Sequence, residues 1–79
     1  MEIAFIFLME VNNMPFYEAL KIMFEQNKSI RRQSWSKEES ILYTSMMSRI
    51  FKEFTDRYEI WTPKHEDLIA NDWEVIEVT

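Results

Sequence analysis

The 79-residue chain has no glycine and no cysteine, two prolines and a single histidine. Without glycine there is neither a Walker loop nor a dinucleotide-binding glycine fingerprint, since both need a close backbone approach that a Cβ obstructs. Turns must use Asn, Asp or Pro instead. Without cysteine there is no disulfide and no thiolate zinc site. Positive charge is scarce as well: nine Lys and Arg stand against fourteen Asp and Glu, a formal net charge of −5. That balance argues against binding DNA or RNA by wholesale phosphate neutralisation.

What is abundant is apolar and aromatic surface, at 47% and 15% of residues. A chain of this size makes one small domain that buries roughly 60–65% of its unfolded surface. With no disulfide or thiolate metal site to help, assembly into a homo-oligomer is the expected remedy. The apolar run over residues 3–11 is too short to span a bilayer and lacks the basic flank of a secretory leader. A buried strand is expected there, and no membrane partner.

"PFYEALKIMFEQ" predicts a helix over residues 15–26. Pro15 suits its first turn, Asn27 suits a left-handed end, and Phe16, Ala19, Leu20, Met23 and Phe24 form one apolar stripe. "SIRRQSW" predicts a strand running into a turn at Ser36. Residues 36–54 support two readings. Ser36 with Glu39 resembles a capping box, and Tyr43, Met46, Met47, Ile50, Phe51 and Phe54 keep helical spacing. The same stretch also divides into the strands "SILYTSM" and "RIFKEFT", with a turn at Asp56–Arg57 leading to "YEIWT". Residues 62–70 predict a short helix with Thr62 as N-cap and Pro63 as first helical residue, ended by Asn71. "WEVIEV" predicts the last strand.

Catalytic groups are few. His65 stands alone beside Glu66 and Asp67, and its spacing to Asp67 and Asp72 matches no metal-ligand pattern. No nucleophile, base and orienting group can be assembled, so no enzyme and no cofactor are expected. A different set is better suited to binding. Lys28, Arg31, Arg32 and Lys37 form a local basic patch in an otherwise acidic chain. Arg grips phosphate through a planar fork, indoles stack on nucleobases, and Asp or Asn can meet ribose hydroxyls. Arg31, Arg32, Trp35, Trp61, Asp67, Asn71, Asp72 and Trp73 thus form a nucleotide-binding kit with no bond-breaking group. The plainer alternative is that the three Trp are core and the acidic residues cap turns.

"FYEAL", "RRQSW" and "WTPKHEDLIANDWEV" resemble a family of small phage and bacterial proteins with the pattern F-x-E-A-L, R-x-x-W, W-x-P-x-x-x-D-L-L-A-x-D-W. Ile69 replaces one Leu of that pattern. This family includes the phage Thoeris anti-defence sponge proteins of the second kind. The resemblance covers residues from about Pro15 to Ile76. It implies an α+β fold with an N-terminal helix packed on a small antiparallel sheet and a short helix before the last strand, and so favours strands in the middle segment. It implies a homotetramer with ligand pockets at subunit interfaces, in the host bacterial cytoplasm, that sequesters a cyclic nucleotide immune signal, glycocyclic ADP-ribose, without degrading it. Some relatives also capture cyclic oligonucleotides. On the matching positions, Trp35 and Trp73 are expected as stacking walls, Arg32 and Arg31 as pyrophosphate contacts, and Asp67, Asn71 and Asp72 as contacts to ribose or base. Asn27 and Ser36 stand where the family often has glycine, and the middle segment matches poorly. The rival functions are a protein-interaction module that inhibits a host defence protein and a phosphodiesterase that destroys the signal.

Overall fold

A computed structural model describes residues 13–76 of the chain; the strand expected over residues 3–11 lies outside them. The element order is α1 (Phe16–Gln26), β1 (Ser29–Arg32), β2 (Ser40–Thr44), β3 (Arg49–Glu53), β4 (Tyr58–Ile60), α2 (His65–Leu68) and β5 (Trp73–Ile76). The strands form one antiparallel sheet in the order β4-β3-β2-β1-β5. The fold is α+β, a helix before the sheet and a short helix before the last strand, as expected.

Pro15 sits one residue outside α1, in extended conformation. Its carbonyl accepts from the N–H groups of Glu18 and Ala19 at 3.1 and 3.3 Å, which closes the first turn. Ala19 and Met23 are buried, with Phe16 and Leu20 packed beside them. Phe24 lies at the margin of the stripe, its ring centroid 4.4 Å from that of Tyr43. Asn27 ends the helix in the left-handed region (φ 57°), as its type allows.

The middle segment is strand and turn, and its helical period has a local origin. Met46 and Met47, which complete the helical stripe on paper, occupy the β2–β3 turn and are exposed. Ser48 closes that turn at φ 52°. Ser36 and Glu39 form a turn, with the Glu39 N–H donating to the Ser36 carbonyl (3.1 Å), and start no helix. The turn expected at Asp56–Arg57 is shifted by one residue, because Phe54 N–H donates to the Arg57 carbonyl (2.8 Å) and leaves Thr55 and Asp56 at the tip. The helix expected over 62–70 shrinks to α2. The Asp67 carboxylate reaches back to the backbone N–H of Lys64 (3.3 Å), so the helix begins after Lys64 and Thr62 is no cap.

Strand register divides the sheet into two faces, because side chains alternate along a strand and cross-strand partners point the same way. Trp73 pairs with Arg32, Val75 with Ile30, Ile30 with Ile41, Ile41 with Lys52, and Lys52 with Glu59. This is the face that α1 covers, and Met14, Ala19, Met23, Ile30, Ile41, Trp73 and Val75 form its core. The other face carries Arg31 and Glu74, and Leu42, Phe51 and Ile60 in register. Met14 exchanges two backbone hydrogen bonds with Trp73 (3.0 and 3.1 Å), which lays this one residue along the outer edge of β5.

Candidate functional site

Three tryptophans from distant parts of the sequence meet at one end of the helix-covered face. Trp73 lies at the bottom, completely buried. Trp35 and Trp61 stand on it edge to face, with ring centroids 5.3 and 6.1 Å from its own, and Phe16 closes the side at 5.0 Å. Each position has a local cause. The N–H of Trp35 donates to the Arg32 carbonyl (3.0 Å), so the R-x-x-W spacing is one tight turn that puts both side chains at the end of β1. The N–H of Trp61 donates to the Ile50 carbonyl (2.9 Å), which continues the β3–β4 ladder past β4. Trp73 is the first residue of β5, and its indole N–H donates to the carbonyl of Asp67 (2.9 Å). A buried indole needs such a partner.

The polar residues around Trp73 form a clamp. Arg32 Nε donates to Asp72 Oδ1 (2.6 Å), and its terminal nitrogens donate to Asp67 Oδ1 (2.9 Å) and Asp72 Oδ2 (3.4 Å). The hydrogen bonds that Arg32 donates to Asp72 and then to Asp67 raise its pKa above the ordinary value, so this cation keeps its charge at any working pH. The clamp ties the end of β1 to α2 and to the residue preceding β5.

Above the tryptophans lies an open cavity of about 610 Å³. Trp35, Trp61 and Phe54 give it aromatic walls, and Arg32, Lys52, Lys64, Glu59, Glu66 and Asp67 line it with charge. Two of the acids are already neutralised: Asp67 by Arg32, and Glu59 by Arg57 at 2.8 Å. Lys52 pairs with Glu39 (3.2 Å), and its Nζ lies 4.0 Å from the centroid of the Trp35 ring. Among the described residues, no group of three or more His, Asp and Glu is placed to hold a metal ion.

Of the seven residues expected at a site, the cavity gathers Arg32, Trp35 and Asp67. Trp73 does not line it. With no exposed face, Trp73 stacks on nothing but its protein neighbours, and the stacking wall expected there is corrected to a core anchor. Arg31 points to the opposite face of the sheet, where it binds Glu74 (2.6 Å) and the Lys37 carbonyl (3.1 Å). Asp72 serves the clamp from outside the cavity, and Asn71 is exposed away from it. Lys52, Lys64 and Phe54 were not expected at a site. Lys52 lay hidden in the segment of helical period; the alternation Ile50–Lys52–Phe54 of a strand assigns it a face of β3 but not its neighbours across the sheet. His65 begins α2 and is exposed.

The fold and cavity define a small α+β domain with an aromatic and charged recess at one end of its sheet. The family model of the Thoeris anti-defense 2-like (Tad2-like) domain matches residues 14–76, and the chain belongs to that family. Its role is therefore in Thoeris anti-defence. No curated protein matches the chain. No helix among the described residues is long and apolar enough to cross a membrane.

Proposed function

We propose that the protein blocks Thoeris defence by binding a cyclic nucleotide immune signal, glycocyclic ADP-ribose, and holding it out of reach of its effector. One observation carries this reading: the cavity beside Trp35 and Trp61 combines flat aromatic walls with lysines, the pairing that suits a base attached to phosphates. Trp35 is the stacking residue, and Trp61 takes the place first assigned to Trp73. Asp67 accepts from ribose hydroxyls at the rim, through whichever lone pairs Arg32 and the Lys64 N–H leave free. The ligand leaves intact, because hydrolysis needs a positioned base, nucleophile or metal and the guanidinium of Arg32 cannot activate water.

The active form is a homotetramer in the host bacterial cytoplasm. Support for assembly comes from the large apolar side chains left outside: Met46 is 96% exposed, Tyr58 72% and Ile60 55%. The same exposure favours a second reading, a protein-interaction module that inhibits a host defence protein through this surface. Calorimetry with purified glycocyclic ADP-ribose and a panel of cyclic dinucleotides, followed by heat denaturation and chromatography of the released nucleotide, tests the first reading. Saturable binding with recovery of unchanged ligand is expected. Absence of binding to every nucleotide leaves the second reading, and product in excess over protein makes the protein an enzyme.

A further inference from the structure

The cavity holds three cations, and they are not equally available. Arg32 is committed: three of its nitrogens donate to Asp67 and Asp72, whose two carboxylates more than balance its charge. Drawing it onto a phosphate would leave the buried Asp67 without its partner, an expensive exchange. Lys64 stands exposed in the link before α2. Lys52 differs from both. It projects from β3 into the cavity and is held by the sheet through its pairing with Ile41 and Glu59. Among the described residues a single carboxylate, Glu39, pairs with it, at 3.2 Å and itself partly exposed. Its ammonium lies over the indole of Trp35, 4.0 Å from the centroid. That ring face is where a base would stack.

We propose that Lys52 is the anion-contacting residue of the cavity, and that its ammonium covers the Trp35 ring until a ligand carrying a flat ring and a phosphate or pyrophosphate replaces it. The inference rests on the nucleotide-binding reading above and names the contact within that site. The ammonium has three donors, so it can turn from Glu39 and the indole to a phosphate oxygen without leaving the cavity. The base then takes the ring face that Lys52 vacates. A cation over an indole in an open cavity is a modest attraction, and a charge-assisted bond to phosphate exceeds it.

The test uses the three indole N–H resonances in a nitrogen-15 spectrum, assigned by single Trp→Phe variants, with inorganic pyrophosphate and glycocyclic ADP-ribose as separate probes. In the free protein, Lys52→Met should shift the Trp35 resonance most. Both probes should shift it saturably in the wild type. Lys52→Met should weaken both by roughly tenfold or more, the size of one hydrogen bond to a charged group, and flatten the salt dependence. Glu39→Gln, a partly exposed change that frees Lys52, should tighten both severalfold. Nucleotide binding that is equal in the wild type and in a folded Lys52→Met overturns the role of Lys52 and leaves the nucleotide reading standing. Pyrophosphate binding that depends on Lys52, with no response to nucleotide, keeps the anion site and removes the nucleotide reading. No response to either probe removes both. If Lys52→Met does not fold, Glu39→Gln decides: unchanged affinity for both probes overturns the proposal.

Discussion

The two faces of the sheet solve opposite problems with neighbouring residues. On the covered face, Ile30, Ile41, Val75 and Trp73 are sealed by Ala19 and Met23 of α1, and the end near Trp35 and Trp61 stays open. On the bare face, Leu42, Phe51 and Ile60 line up across β2, β3 and β4 with no helix over them among the described residues. Arg31 and Arg32 show the division at its sharpest. They are adjacent in sequence, yet one joins a part-buried pair with Glu74 on the opposite face and the other holds the walls of the cavity. One small domain thus encloses a single core on one side and leaves an apolar surplus on the other, as the composition led one to expect.

The sharpest way to break this contrast is to empty the covered face. Trp73→Ala removes the floor of the aromatic cluster and leaves the Asp67 carbonyl without its donor. A loss of about 3–5 kcal/mol is expected for such a truncation, enough to unfold a chain of this size, and urea denaturation measures it. Next comes the clamp. Arg32→Met keeps the volume and leaves Asp67 uncompensated. About 1–3 kcal/mol should be lost, below the range for a fully buried pair because Asp72 is partly in solvent. Arg31→Met, the control on the opposite face, should cost less, about 1 kcal/mol, because Arg31 ties one carboxylate where Arg32 ties two. Melting curves of the two variants giving equal losses would erase the distinction between the faces.

Trp35→Ala should act on binding more than on folding. Removal of one stacked base contact is worth about 1–3 kcal/mol, to be read by calorimetry on protein whose melting temperature is recorded in parallel. A folded variant that binds as the wild type does would take the stacking role from Trp35. The smallest effect on the protomer belongs to the bare face. Tyr58→Lys with Ile60→Lys should change protomer stability by within about 0.5 kcal/mol per site, as exposed substitutions do, yet should shift sedimentation towards smaller species. A monomeric wild type at micromolar concentration would undo the assembly reading outright.

Sequence periodicity sufficed for α1, because Phe16, Ala19, Leu20 and Met23 meet one sheet face and that contact creates the pattern. It misled in the middle segment, where exposed Met46 and Met47 in a turn imitated a helical stripe that faces nothing. The strands there were one of two readings of the residues, and the family resemblance chose between them. The site was legible as residue types more than as places. R-x-x-W correctly joined Arg32 to Trp35, a local turn. Whether Trp73 faced a ligand or the core depended on Arg32, Trp35 and Trp61, all distant in sequence, and spacing alone contains no such information. Lys52 escaped notice for the same reason, since its value derives from Trp35 across the sheet.

The left-handed residues of the turns lead to a further consequence. Asn13, Asn27 and Ser48 occupy positive φ angles where many chains would use glycine. For Ser48 in particular that conformation is uphill. Yet every glycine avoided is backbone freedom that the unfolded ensemble never had, about 0.5–1 kcal/mol at each compatible position. A glycine-free chain therefore begins folding from a stiffer, less numerous set of conformers. In a domain with so small a core, some of the margin between folded and unfolded states is set in the disordered chain, before any side chain has met another.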